Sequence, residues 1–483
     1  MRAPFTLPPP FAPCARVWLL IVGLAASPML LAAESAVTGS PSAAPAEAAA
    51  VQTTPVEPRG VLTLKEAIRI GLEANPELKA VAAETQVAAA QQDQAKAVFW
   101  PSLHAVGGAV LNSEAQRIVQ AHVNNSPGAF SDGALSGDLV LSMPLFTGGR
   151  LTHEFRAAEL LRTAAEQRLA RSRDELVFNI TAIYASILAQ DQIVAAVDLA
   201  KKAMLEQRRR MTELAAAGKV ANVDCLRTDV RVAELVQRLT REKNLAAIQR
   251  RLLVNQMGGA WKGEITLADA LVEPSAAGSE MGATGGVGTA IKLRADYLAA
   301  QRIVQAQEQA TKAAHAGHYP TLSLQAAYGN RSGFGNMDDP AGSDRSETSG
   351  RVGLVLDIPL FEGGRITARE HEARAKLTAA RERLNKLELQ MDLEVETAAL
   401  TAAAALERYQ TSAVAVTQAT ESLRIERDKY AQGRGTITDV LDAQSAQVDA
   451  QTTLFRAQAE WLISVAQWQL ATGQSTPMQP AGK

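Results

Sequence analysis

Cysteine is almost missing from this chain of 483 residues: there are two, Cys14 and Cys225. A disulfide-stapled scaffold is excluded by that count. Aromatic residues are only 4% of the sequence, too few for a thick globular core, and the long Ala/Gln/Leu/Arg/Glu-rich stretches suit elongated helical packing better. There is no basic excess either. Lys+Arg is 49 against Asp+Glu 51, so the phosphate-neutralising surface of a nucleic-acid binder is not expected. No Gly-x-x-x-x-Gly-Lys-Ser/Thr loop, His-Glu-x-x-His or Gly-x-Ser-x-Gly occurs, so neither an enzyme nor a cofactor is expected. With 47% apolar and 21% charged residues, the chain is nonetheless rich enough in apolar residues to fold.

Two further absences carry most of the argument. Neither proline nor glycine occurs anywhere from Leu151 to Ala217 or from Ile366 to Gln432. As helices these stretches would each run about 100 Å at 1.5 Å per residue. The object expected is long and narrow.

At the N-terminus, Arg2 and Arg16 precede the apolar run Val17 to Leu31, which is followed by Ala32 and Ala33. This pattern reads as a secretory signal over residues 1–33, with an apolar core too short to span a bilayer stably. Cys14 would leave with it, and Cys225 reads as a small helical residue. Residues 34–60 are rich in Ala, Pro, Ser and Thr without periodicity and read as a flexible tether.

The remainder is an internal duplication. Phe99-Trp100-Pro101-Ser102-Leu103 returns as His318-Tyr319-Pro320-Thr321-Leu322 at an offset of 219, and Met143-Pro144-Leu145-Phe146-Thr147-Gly148-Gly149-Arg150 returns as Ile358-Pro359-Leu360-Phe361-Glu362-Gly363-Gly364-Arg365 at 215. The same 215 relates Gly218 to Gly433, Asp224 to Asp439 and Gly258 to Gly473. The expected organisation is a first repeat over 61–262, a Gly-rich linker over 263–288, a second repeat over 289–473 and a tail over 474–483.

Within each repeat the breakers leave helix, strand, strand, helix, helix, with the last two forming a hairpin at Gly218 or Gly433. In the first repeat, Thr63 to Trp100 and Val223 to Met257 read as two shorter helices stacked end to end beside the long one. Leu441, Val448, Phe455 and Leu462 recur every seven residues, with Ser445, Thr452, Ala459 and Ala466 as a small-residue row. Leu176, Ile180, Ile183, Ile187, Val194 and Val197 form a similar seam.

Between the helices lie alternating runs: Leu135 to Met143, Thr321 to Tyr328 and Arg351 to Ile358. Each is 8 or 9 residues, close to the about 9 or 10 of a tilted strand crossing a bilayer, and Leu139, Leu141, Leu322, Leu324, Leu354 and Leu356 would face lipid. The strand beginning at Ser102 alternates less cleanly. Four strands cannot close a barrel, so membrane strands would require oligomerisation, and three copies would supply twelve. The alternative is a secreted trimeric coiled-coil scaffold with soluble β-hairpins.

The doubled Pro-Leu-Phe-x-Gly-Gly-Arg, the segment Leu72-x-x-Asn75-Pro76-Glu77-Leu78 and the hairpin Gly-x-x-x-x-x-Asp closely resemble the outer membrane efflux proteins, the TolC-like family. The resemblance spans Leu62 to about Gly473. It implies a mainly α fold with membrane β: a homotrimer whose twelve-stranded outer-membrane β-barrel continues as a twelve-helix periplasmic α-barrel. It further implies a duct for efflux or type I export from the periplasm to the exterior. The expected partners are a periplasmic adaptor, an inner-membrane transporter that supplies the energy, and outer-membrane lipid. The gate would lie at the periplasmic tips, on Tyr430, Asp439, Asp442, Asp224 and Arg434, with Gly218 and Gly433 as adaptor-docking tips. Asp439 reads equally well as a helix cap. Gly435 and Val223 stand where the family often carries polar latch residues.

His315 and His318 have helical i,i+3 spacing but no acidic or cysteine companion near them in sequence. They read as interface residues beside Tyr319, and no metal is expected. Asn336 to Glu347 lacks calcium-loop spacing and reads as an external loop.

Overall fold

The computed structural model describes residues 61–119, 128–218, 220–261, 263, 265–271, 292–338 and 346–474. The expected signal sequence and tether, most of the expected linker, the tail after residue 474 and residues 339–345 of the expected external loop lie outside the described residues.

The long helices form where proline and glycine are absent. In the first repeat, β1 (Val61–Leu62) leads into α1 (Leu64–Ala74) and α2 (Pro76–Ala97), then β2 (Ser102–Val119), β3 (Ala129–Phe146), α3 (Arg150–Ala216) and α4 (Asn222–Gln256). After β4 (Thr266–Leu267), the second repeat supplies α5 (Ala295–His315), β5 (Thr321–Asp338), β6 (Ser346–Asp357), α6 (Arg365–Ala431) and α7 (Ile437–Thr472). Both α3 and α6 are unbroken over 67 residues.

The Gly-Gly of the repeated motif has a conformational cause. Gly148 and Gly149 have φ of 62° and 85°, and Gly363 and Gly364 have 59° and 85°. Two successive left-handed residues turn a strand into a helix within one step, and side chains with a Cβ resist that conformation.

The structure departs from two sequence expectations. The single helix expected over Thr63 to Trp100 is broken at Asn75. Pro76 opens α2 at its first position, and Asn75, with ψ of 124°, leaves helical geometry and accepts the Leu78 amide on its side chain at 3.0 Å. A proline there removes an amide and bars the preceding residue from the helical region. The strands also outrun the expected crossing length of about 9 or 10 residues. Each of β2, β3 and β5 has 18 residues, and β6 has 12. The hydrogen-bonded ladder continues past the point where apolar/polar alternation fades, as in the Asn330–Thr348 and Ser332–Ser346 pairs.

The sheet is antiparallel, ordered β2-β3-β5-β6. Among the described residues, its outer strands, β2 and β6, each have one edge unpaired. Near the middle of α3, Leu62, Ile68, Leu176, Ile180, Tyr184, Ile187, Leu253 and Trp261 form a buried cluster, and β1 pairs with β4 beside it. The Tyr184 hydroxyl donates to Asp269 at 2.7 Å there, and burial pushes this phenol well above its usual range. One stretch of α3 is long and apolar enough to cross a membrane, but half of it is buried within the chain, where this seam packs.

End-to-end stacking of the shorter helices holds in both repeats. The Asn75 side-chain amide donates to the Gln256 carbonyl at 2.8 Å, and the buried Arg294 donates to the Ala471 carbonyl at 2.9 Å. Arg294 follows Asn75, and Ala471 follows Gln256, by the same offsets that relate the repeated motifs. The two contacts are therefore equivalent, each closing the free carbonyls of a helix end with a side chain from its neighbour. Gly258 seals the first junction: its φ is 69°, and a Cβ would collide with the Ala74 carbonyl. Gly259 has φ of 71° but open space around it. Gly258→Ala should therefore destabilise the protein by at least about 1 kcal/mol more than Gly259→Ala in thermal unfolding. Equal losses would show that the junction is not tightly packed.

Candidate functional site

The hairpin tips are built by glycine and finished by caps. Gly218 ends α3 with φ of 72° and Gly433 ends α6 with φ of 71°. Neither would crowd a Cβ, so glycine serves there for its conformation alone. The Gly433 amide donates to the Tyr430 carbonyl at 3.0 Å and the Arg434 amide to the Lys429 carbonyl at 2.9 Å. Arg434 lies exposed on this turn.

Just beyond the turn, α7 begins with a capping box. The Thr436 hydroxyl accepts the Asp439 amide at 3.3 Å, while the Asp439 carboxylate accepts the Thr436 amide at 3.0 Å and the Thr436 hydroxyl at 2.7 Å. These bonds hold the Asp439 carboxyl below its ordinary value. Of the two readings of Asp439, the cap is the one its contacts display. Asp442, one turn on, is outside the cap and mostly exposed.

Tyr430 sits in a cluster with Met204, Met211, Leu423, Ile437, Val440 and Leu441, which joins the two hairpins near their tips. Its hydroxyl contacts the Met211 sulfur at 3.4 Å. Burial raises its pKa, and the nearby Asp224 and Cys225 add to that shift. Asp224, in the first turn of α4, pairs with Arg227 at 3.4 Å. Tyr430 and Asp224 are thus neighbours across the hairpins.

A polar link between the hairpins is present, but other residues make it. Arg227 donates to Thr438 at 3.2 Å, Arg231 to Asp442 at 2.7 Å, and Arg238 to Asp449 at 2.5 Å and Thr452 at 3.0 Å. The first three pairs are each separated by 211 residues. A constant separation means that α4 and α7 run parallel and in register along this seam. Its signal is in the sequence: arginines at 227, 231 and 238 repeat the spacing of 438, 442 and 449. It becomes legible only when these two helices are known to be neighbours. Val223, at a position where the family often has a polar latch residue, is exposed instead. Exposed pairs of this kind contribute about 0.2 to 1 kcal/mol each, so the ladder sets register more than it adds stability.

At the other end of the long helices, the strand register collects all six named leucines on one face. Leu139 faces Ala105 and Tyr328, Leu141 faces Leu103 and Ala326, Leu324 faces Met143 and Leu354, and Leu322 faces Leu356. The opposite face carries Ser136, Asp138, Ser142, Gln325, Arg331 and Arg351. A sheet with one apolar and one polar face suits a wall between lipid and water.

The acidic companion that sequence proximity did not offer His315 and His318 comes from α6. Glu370 lies 3.2 Å from the His315 ring and 3.5 Å from that of His318.

This arrangement is matched by known proteins. A family model described as "Outer membrane efflux protein" matches residues 67–259 and 287–474. The chain belongs to the outer membrane efflux protein family. Among relatives of this family, outer membrane protein TolC of Escherichia coli (strain K12) is 24% identical over 400 residues, covering 81% of this chain and 78% of that protein. Outer membrane efflux protein BepC of Brucella suis is 27% identical over 347 residues, 70% of this chain and 72% of its own. In fold, the chain is similar to the outer membrane protein VceC of Vibrio cholerae, with TM-score 0.69 and 21% identity over 85% of this chain and 96% of that one. The CmeC outer membrane channel of Campylobacter jejuni gives TM-score 0.72 at 16% identity, over 87% of each chain. The efflux protein family thus accounts for the duplicated long helices and the short sheet, and it places the chain in the outer membrane as a channel protein. The secreted soluble scaffold is set aside.

The capping box makes a pH prediction. Asp439 is lowered by its cap bonds, so its stabilising contribution is complete above about pH 4, the ordinary aspartate value, and is lost as pH falls through the lowered value. The protection of the Val440 and Leu441 amides, taken as exchange relative to the intrinsic rate at each pH, should fall on that acidification. Thr436→Ala, which removes a cap usually worth about 1 kcal/mol, should lower it at neutral pH, and Asp442→Ala should not. A loss of protection in Asp442→Ala equal to that in Thr436→Ala would shift the capping role away from Asp439.

Proposed function

We propose that three chains assemble into one duct, with a twelve-stranded barrel in the outer membrane and a periplasmic tunnel of helices closed at the hairpin tips. The observation that carries this reading is the two-faced sheet with unpaired edges at β2 and β6, joined by Gly-Gly turns to helices of about 100 Å. Open edges in lipid leave backbone groups unpaired at several kcal/mol each, and a closed ring of chains removes them.

The tips are the gate and the adaptor-docking surface in this reading, with Gly218 and Gly433 reversing the chain where a periplasmic adaptor meets it. Asp442 supplies the acidic ring, three carboxylates about one axis, and Arg231 holds each of them in the resting state. Tyr430 and Asp224 pack the two hairpins together beside that ring. Asp439 fixes the start of the helix that presents Asp442, and Arg434 lies at the rim. The chain performs no catalysis; an inner-membrane transporter supplies the energy. Relatives named for efflux and for protease secretion fit export of either kind.

Conductance of the purified protein in planar lipid bilayers tests this. A trivalent hexammine cation added on the side of the tips should block current by bridging the ring carboxylates, and Asp442→Ala should relieve the block. Arg231→Ala should raise the resting conductance and strengthen the block, because it frees the carboxylate. A protein that forms no channel would overturn the duct, and unchanged block in Asp442→Ala would overturn the ring.

A further inference from the structure

His315, His318 and Glu370 lie at the root of the β5–β6 hairpin, far along the chain from the tips. His315 is the last residue of α5, and the 3-10 turn Ala316–His318 brings His318 to the same side just before β5 begins. Glu370 comes from the opening turns of α6, just after β6 and its Gly-Gly turn. The carboxylate is largely buried, while both imidazoles are accessible.

The donor geometry is suited to a cation. A tetrahedral ion with bonds of about 2.0 to 2.1 Å holds its ligand atoms about 3.3 to 3.4 Å apart. Nδ1 of His315 is 3.2 Å from one Glu370 oxygen, Nε2 of His318 is 3.5 Å from the other, and the three donors lie within 4.8 Å of one another. The rings are tilted at 56° with centroids 5.7 Å apart, so they are not stacked and both nitrogens remain directed at the carboxylate. Arg374, one helical turn beyond Glu370, donates to Oε1 at 2.5 Å. It orients the carboxylate through Oε1, the oxygen nearer His315, and leaves Oε2, the oxygen nearer His318, for a ligand, the supporting role outer residues commonly play in metal sites.

We propose that His315, His318 and Glu370 form a binding site for a divalent transition cation of the zinc type, within a single chain. Two imidazoles and one carboxylate suit zinc, nickel or copper(II); the absence of thiolate or thioether from the set argues against copper(I), and a single carboxylate is too few oxygens for calcium. A bound cation would fasten the end of α5 to the start of α6. Those are the two helix ends that flank the β5–β6 hairpin, so the ion would stiffen the joint between sheet and helices.

The site does not depend on the number of chains in the assembly, so its test is separate from that of the duct. Untagged full-length protein, stripped with chelator, should be titrated with zinc(II) against a chromophoric indicator. One saturable cation per chain is expected. His318→Ala and Glu370→Gln should each weaken binding at least tenfold, whereas His371→Ala, adjacent to Glu370 but outside the set, should bind as the parent does. Cobalt(II) in place of zinc should give the visible absorption of a tetrahedral ion, lost in His315→Ala/His318→Ala. Circular dichroism identical to the parent's would certify the variants as folded. Absence of saturable binding, or binding that survives in that double variant, would overturn the site and leave the cluster as an ion pair.

Discussion

Backbone hydrogen-bonding groups placed in lipid must find their partners within protein, because no water is there to satisfy them. A chain that commits four strands to a bilayer and leaves two edges open cannot be complete by itself. The register gathers Leu139, Leu324 and Leu354 on one apolar face, the face proposed to meet lipid, and the edges of β2 and β6 left open among the described residues set the requirement for neighbours. Each Gly-Gly turn then redirects the chain into a helix of about 100 Å, so the sheet becomes one end of a long wall.

Duplication lets the wall be built twice from one plan. Its junctions are chemically different and positionally equivalent: an asparagine side chain closes the α4 end and a buried arginine closes the α7 end. Asp296 and Glu394 offset the charge of that arginine, which burial would otherwise disfavour. At the tips the two copies have diverged in chemistry. The first contributes the arginines of the α4 ladder and the second contributes the acidic and hydroxyl partners on α7. The ladder thus holds the two hairpins in register beside the apolar cluster that joins them.

Much of this is legible in the sequence because the signals are local. Missing breakers bound the long helices to within a residue, and the alternation that groups the leucines on one face is preserved in the observed register. The heptad seam is buried at Leu441, Val448 and Leu462 and half-buried at Phe455. The rest needs partners distant in sequence. Pro76 signals the split at Asn75, but a proline at the first helical position is also compatible with one continuous amphipathic pattern. Alternation alone underestimates the strand ends, because their backbone pairing outlasts it. The α4 ladder and the His315–His318–Glu370 cluster each unite residues from separate helices, and nothing in either segment alone names the other.

The central claim is that the open sheet is closed by two further copies of this chain. Native mass spectrometry of the protein extracted from the outer membrane measures that directly. The account requires a dominant species of three chains; a monomer or a dimer as the membrane-inserted form would contradict it, since neither supplies twelve strands.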